Sequence, residues 1–277
     1  LKIKLFKSLW EYVQFEGSPL TIRMDNQIEG ILDRIARAGY SGIESPLPSK
    51  EQEDWFRRLL DNYKLEYIAQ VLTKDEHSES FALQVRRAAE FEPLMIVSHS
   101  AKDSMTYEEQ LNFFRKAVAI EEEIKPPLAH ETHRGRAMFT PWNTSRLLKE
   151  IDNLKITADF SHWCCVCESL LDAEESHLAT AIERTIHIHG RVGYAEGPQV
   201  SDPRAPEYVK ELERHEDWWE RIVQAQLKRG IDTITFTPEF GPPGYMQVLP
   251  YTRQPVVDLW DINLWVAERF KERNRQL

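Results

Sequence analysis

Residues 126–139 read PPLAHETHRGRAMF: two prolines, a short apolar run, then Glu131 flanked by His130 and His133, with Arg134 and Arg136 close behind. The prolines punctuate the chain and the apolar run after them reads as a short buried strand. The charged cluster therefore falls at the strand's carboxyl end. A carboxylate at the edge of an interior is costly without a partner, so the fold has to supply one.

The same grammar repeats on both sides of this stretch. Apolar runs that read as strands are IKLFKSLW, GYSGIESP, LEYIAQVL, PLMIVSHS, PPLAHETH, LKITADFS, RTIHIHGR and DTITFTPE. Between them lie amphipathic helical patterns such as NQIEGILDRIARA, YEEQLNFFRKAVAIEEEI, ESLLDAEESHLATAIE and ERHEDWWERIVQAQLKRG. Strict alternation of strand and helix demands parallel strands joined by crossover helices. Eight such units predict an α/β chain folded as one (β/α)8 TIM barrel over residues 1–277. An open doubly wound sheet has the same local pattern, but no GxGxxG or GxxxxGK[ST] loop follows any strand to hold a nucleotide. The two longest irregular stretches, 193–208 and 241–255, follow the seventh and eighth strands and read as functional loops.

Composition sets the outer bounds. With 42% hydrophobic residues and eight Trp, the chain has ample material for a core. A net charge of −10 offers no broad basic field for a phosphate backbone or an anionic membrane, so neither nucleic acid nor membrane is expected as a partner. The Lys-bearing start LKIKLFKSLW lacks the features of a signal peptide, and no run approaches a membrane span. Cys164, Cys165 and Cys167 sit together in HWCCVCE with no distant partner, which predicts inert thiols, no disulfide framework and a cytoplasmic setting.

In a barrel, the carboxyl ends of different strands converge on one face. The late strands end in Glu131, Asp159, the His187/His189 pair and Glu239. Several carboxylates brought together repel one another unless a cation sits among them. Glu131, Asp159, His189 and Glu239 are therefore the expected ligands of a divalent metal. Oxygen-rich ligation with one imidazole suits manganese, magnesium or cobalt, with zinc also compatible. Each residue has a plainer reading: Asp159 as a helix cap, Glu239 as the partner of an Arg, and His187 in place of His189 as the ligand.

The series HETHRGR, ADFSHW, HIHGR and TPEFGP resembles the xylose isomerase-like TIM-barrel superfamily, in particular its sugar phosphate isomerase/epimerase group, along essentially the whole chain. The resemblance implies a four-ligand metal site at Glu131, Asp159, His189 and Glu239, and a substrate-contacting role for His162. It also implies that Glu131 and Glu239 exchange a proton with opposite faces of a sugar. Ala137 and Ala195 stand where ketose epimerases of the group carry a Glu and an Arg, so the sugar contacts of this chain differ.

The expected activity is metal-dependent isomerisation or epimerisation of a sugar, sugar phosphate or sugar acid, by proton transfer next to a carbonyl through an enediolate. His133, Arg134 and Arg136 fall in the loop above the metal, and Arg191 follows His189 by two residues. Guanidinium groups there would grip an anionic or polyhydroxy carbohydrate. Alternatively, Arg134 and Arg136 pair with surface acids or hold the loop through backbone carbonyls. His99 and Lys102 could reach the same mouth, Glu44 and Gln70 could orient neighbours, and Trp10, Trp142 and Trp163 could wall a sugar ring. His130 should face away into the core. Metal-dependent hydrolysis or lyase chemistry, the endonuclease branch of the same superfamily, which the net charge of −10 argues against, and a catalytically silent sugar-binding barrel are the rival functions. Trp55, Trp218 and Trp219 are candidates for a subunit contact in a homodimer or homotetramer.

Overall fold

The computed structural model describes residues 1–14 and 20–275. Its central sheet contains β1 (Lys2–Ser8), β4 (Gly42–Pro46), β5 (Glu66–Leu72) and β6 (Met95–His99), followed by β7 (Leu128–Glu131), β8 (Ile156–Ala158), β9 (Thr185–Gly190) and β10 (Thr233–Pro238). All neighbours pair in parallel, and β1 pairs with both β10 and β4, which closes the barrel. Two short strands, β2 (Val13–Gln14) and β3 (Thr21–Ile22), form a small antiparallel pair above the first turn. The closed eight-stranded barrel is the fold that the alternation predicts.

The helices are α1 (Ile28–Arg37), α2 (Glu53–Tyr63), α3 (His77–Glu90), α4 (Tyr107–Glu121) and α5 (Pro141–Glu150), then α6 (Ser161–Val166), α7 (Glu175–Arg184), α8 (Val209–Lys228) and α9 (Leu259–Arg273). Thr106 opens α4 with a reciprocal capping box to Glu109, and Thr140 caps α5 ahead of Pro141. One predicted helix is corrected. ESLLDAEESHLATAIE does not run helical from Glu168, because Glu168 and Leu171 take φ of +47° and +61°. Leu171 is fully buried, so its packing fixes the left-handed turn that separates α6 from α7.

Alternation along each strand sorts the barrel interior into levels. Phe6, Ile68, Met95 and Val97 form an apolar cluster of their own at the lower level. Above it lie Glu44, Gln70 and His187, and above those Glu131, Asp159, His189 and Glu239 at the carboxyl ends. Gly42 is required at the lower level, since a Cβ there would meet Phe6 Cε1 at 2.6 Å. The larger core fills the space between the barrel's outer face and the helices.

Two expectations about aromatic residues are corrected by this packing. Trp218 and Trp219 are buried in the core against Phe160 and Phe236, so neither offers an exposed subunit contact, while Trp55 is half-buried and packs partly against the core. Trp163 is also interior, with its indole N–H donating to Met138 O at 3.0 Å, and is no sugar wall. Among the described residues, no helix is long and apolar enough to cross a membrane.

Candidate active site

Strand ends β7 to β10 bring Glu131, Asp159, His189 and Glu239 together, each with a potential ligand atom within 4.8 Å of the others. His189 Nδ1 lies 3.0 Å from Glu239 Oε2 and 3.3 Å from Glu131 Oε1. Its Nε2 donates to Glu44 Oε1 at 2.9 Å, on the opposite side of the ring. His187, two residues earlier, lies one level deeper, beside Glu44. There its Nδ1 meets Thr235 Oγ1 at 2.8 Å, and its Nε2 meets Thr237 Oγ1 at 3.1 Å and Glu44 Oε2 at 3.2 Å.

Glu44 thus joins His187 to His189 in the level above. It also accepts from Gln70 Nε2 at 3.1 Å and from Thr237 Oγ1 at 2.6 Å. Burial opposes its ionisation, but the His189 and His187 imidazoles outweigh it and hold the carboxyl well below the usual carboxylate range. Burial likewise disfavours the imidazolium at His189, yet Glu239, Glu44 and Glu131 raise it well above the ordinary histidine value.

The upper cluster fits a divalent cation on its own geometry. Both oxygens of Glu131 and Nδ1 of His189 are buried and lack a hydrogen-bond partner among the described residues. His99 Nε2 is 2.5 Å from Glu131 Oε2, but this pair lacks hydrogen-bond directionality, and His99 Nε2 also has no partner. Close, poorly aligned polar atoms are what groups converging on a common point look like, and orphaned buried acceptors of this kind call for an unseen partner. The donor set of three carboxylates and one imidazole matches a hard or borderline divalent ion. Glu131, His133 and His162 form a second convergent group, and Glu44, His187 and His189 a third. The third is saturated by the hydrogen bonds just described and serves as support.

Asp159 divides its two oxygens. Oδ1 accepts from Ser161 N at 3.1 Å and Ser161 Oγ at 2.5 Å at the start of α6, while Oδ2 turns into the cluster. Asp159 thus bonds the start of α6 with one oxygen and turns the other to the cluster, where Arg191 Nη2 also meets it. His162, on α6, has its Nε2 4.0 Å from Glu131 Oε1 and 3.5 Å from Asp159 Oδ2. Burial, together with nearby His133 and Arg191, lowers its affinity for a proton far below that of an ordinary histidine. The His133 and His162 rings lie 3.9 Å apart.

The arginines separate into different roles. Arg191 is fully buried and pairs with Asp159 and Glu239, the latter at 3.3 Å. Arg136 Nη1 donates to the backbone carbonyls of Thr73 and Ala101 at 2.8 and 3.3 Å, so it holds the loop. Arg134 stands over the Tyr245 ring at 4.8 Å. Trp10, His99, Glu131, His133, Arg191 and Glu239 line a common pocket, whereas Lys102 is exposed and is not among its lining residues. Trp142 is about half-exposed on α5. His130 faces away from the pocket, with Ser100 Oγ at 2.6 Å and Glu121 Oε1 at 2.8 Å from its two ring nitrogens.

Several participants carried no signal as single residues. Tyr245 lies in the second of the long loops and meets Trp10 edge-on with ring centroids 4.7 Å apart. Gln199 ties the two long loops together through both backbone groups of Gly241, at 2.7 and 3.3 Å. His215, on α8, accepts from Gly193 N–H at 3.2 Å and so holds the loop that follows Arg191. Only the placement of the loops after strands seven and eight pointed toward them.

Comparison with solved structures supports the architecture. A xylose isomerase-like TIM-barrel protein from Mycobacterium smegmatis, in complex with magnesium, superposes with a TM-score of 0.63 at 11% identity, covering 99% of this chain and 95% of that one. The probable 3-DHS dehydratase AsbF from Bacillus anthracis gives 0.58 at 15% identity, over 98% and 100% of the two chains. A sugar phosphate isomerase/epimerase from Parabacteroides distasonis gives 0.53 at 12% identity, over 88% of each. At these identities the likeness shows the fold alone. No curated protein matches the chain in sequence. Residues 32–247 match the family described as xylose isomerase-like TIM barrel, which is most of the chain. The chain belongs to the xylose isomerase-like TIM-barrel family.

Proposed function

We propose that this protein is a divalent-metal-dependent isomerase or epimerase of a sugar, sugar phosphate or sugar acid, moving a proton on the carbon next to a carbonyl. The observation that carries the reading is Glu131, fully buried with both carboxylate oxygens unpartnered, at the point where four strand ends meet. Glu131, Asp159, His189 and Glu239 would hold the ion. When bound, a manganese-, magnesium- or cobalt-like cation, or zinc, supplies Lewis-acid polarisation of the substrate's carbonyl oxygen.

The protein's own groups then divide the remaining work. Glu131 directs Oε1 toward His189 and Oε2 toward His99 and the pocket. One oxygen can serve as a ligand while the other takes a proton from carbon, which answers the loss of basicity that ligation imposes on a carboxylate. Glu239, whose Oε2 lies 3.0 Å from His189 Nδ1, would give a proton of its own to carbon, and the two carboxyl groups would re-equilibrate with solvent after turnover. His99 and His162 lie beside Glu131, placed to hold substrate hydroxyls. Three free cysteines fit a reducing, cytoplasmic setting.

A second reading, elimination of water, begins with the same proton abstraction. The full-length fold similarity to a probable dehydratase favours it, as does His99 beside Glu131, where a departing hydroxyl could be protonated. One experiment separates the two. Manganese-loaded protein is incubated in D2O with ketoses, ketose phosphates and keto acids, and products are followed by NMR. Isomerisation incorporates deuterium next to the carbonyl without loss of water, chelation stops it and manganese restores it. Manganese bound at one ion per chain with no exchange in any substrate would sink the reading, and an unsaturated product would establish elimination.

A further inference from the structure

Arg191 reaches the acidic cluster with a single nitrogen. Its Nε donates to Ser161 Oγ at 3.1 Å, while its Nη2 donates to His162 Nε2 at 2.8 Å and to Asp159 Oδ2 and Glu239 Oε2, the last at 3.3 Å. Nη1 lacks a hydrogen-bond partner among the described residues, and the buried side chain lines the pocket. Among the described residues no other Lys or Arg pairs with Glu131, Asp159 or Glu239.

Which oxygens Nη2 meets decides what it does there. A partner that supports a ligating carboxylate bonds the oxygen that the ion leaves free, as Ser161 does at Asp159 Oδ1. Nη2 instead meets Asp159 Oδ2, the oxygen turned into the cluster, and Glu239 Oε2, the oxygen 3.0 Å from His189 Nδ1. These are the atoms a cation would take. A guanidinium has donors and no acceptor, so it cannot join the ion as a ligand and opposes it as a like charge. Even in the dielectric of bulk water, a unit charge about 4 Å from a dication weakens its binding by more than about tenfold.

We infer that Arg191 is a built-in competitor for the metal: it neutralises Asp159 and Glu239 in the metal-free protein and has to release both oxygens before an ion is bound. Ser161 Oγ is a neutral partner that Nε can keep while the guanidinium turns toward the pocket. The inference rests on the metal-dependent reading, and adds that the affinity of the site is set below what its four ligands alone would give.

Arg191→Met tests it by removing the charge while keeping most of the side chain's length. Manganese affinity, measured in competition with a fluorescent chelator, is expected to rise at least about tenfold in the variant. The metal-free variant should unfold at lower urea than metal-free wild type, because two buried carboxylates have lost their partner. Opposite signs separate a competitor from a structural residue, whose loss lowers affinity and stability together. Unchanged or weaker manganese binding in folded Arg191→Met would overturn the inference and leave the proposed function standing. If the variant does not fold, the crystal structure of manganese-loaded wild type decides. An ion on Asp159 Oδ2 and Glu239 Oε2 with Nη2 released from both supports the inference, and an ion there with Nη2 still bonded to either oxygen overturns it. Manganese bound by neither protein would defeat the proposed function together with the inference.

Discussion

Glu44 Oε1 accepts the Nε2 proton of His189 at 2.9 Å, a bond that spans the barrel from β4 to β9. With Nε2 committed as donor, Nδ1 is the nitrogen turned toward Glu131 and Glu239. A carboxylate that fixes the tautomer and aim of a ligating imidazole is a common device around metal ions. Replacing Glu44 with Gln permits the amide nitrogen to face His189 and removes the charge. Metal affinity in Glu44→Gln is expected to fall by about 10–100-fold, the usual cost of losing such a partner. Competition with a fluorescent chelator measures it, and unchanged affinity would assign Glu44 to packing alone.

The packing of the pocket wall gives a second prediction. A Cβ at Gly241 would fall well inside contact distance of the Trp10 indole, which is rigid and cannot yield at its tip. Gly241 also holds Gln199 through both of its backbone groups, so the loop cannot simply back away. Gly241→Ala is expected to cost about 1–3 kcal/mol in urea unfolding, as overpacking does, and to raise KM more than it lowers kcat. An alanine variant with wild-type stability and KM would show that Trp10 has room to move.

Much of this arrangement was legible in the sequence because strand periodicity is a local property. Each of the eight apolar runs became a barrel strand, and a strand's last residues must project from the carboxyl end of the barrel, which is why Glu131, Asp159, His189 and Glu239 could be named. What distinguishes His189 from His187 is depth, set by register, and register cannot be read from a strand in isolation. Arg136 and Arg191 look alike as residues beyond a strand end. One bonds to the carbonyls of Thr73 and Ala101 and the other enters the acidic cluster, a difference decided by loops folding back from elsewhere. The break at Leu171 escaped for a similar reason, since tertiary burial overrode an unbroken helical pattern.

Thiol chemistry offers a third test. Burial pushes the Cys167 thiol up to about 11, with a smaller contribution from Glu174, and burial raises Cys164 well above an ordinary thiol. The thiolate is the reactive form, so at neutral pH both should resist alkylation. Iodoacetamide labelling of Cys167, followed by mass spectrometry, is expected to accelerate as pH rises toward about 11. Rapid labelling of Cys167 at pH 7 would contradict the buried setting.

The last prediction concerns acid stability and His215. Its Nδ1 donates to Glu211 O at 2.8 Å and its Nε2 accepts from Gly193 N–H at 3.2 Å, so the folded protein requires the neutral ring. Burial lowers its pKa from 6.5 to about 4. Above pH 6.5 neither state takes up the proton, and the stabilisation from this site is complete. Between 6.5 and about 4 the unfolded chain binds a proton that the folded one refuses, so stability falls as the pH falls. Over that whole window the loss amounts to on the order of 3 kcal/mol at about 1.4 kcal/mol per pH unit. His215→Gln keeps a group that can bond Gly193 but does not titrate. The stability difference between wild type and variant in urea should therefore shrink from pH 7 to pH 5. A gap that is constant across that range would mean that His215 is accessible to protons in the folded protein, and that the Gly193 contact does not hold the loop behind Arg191.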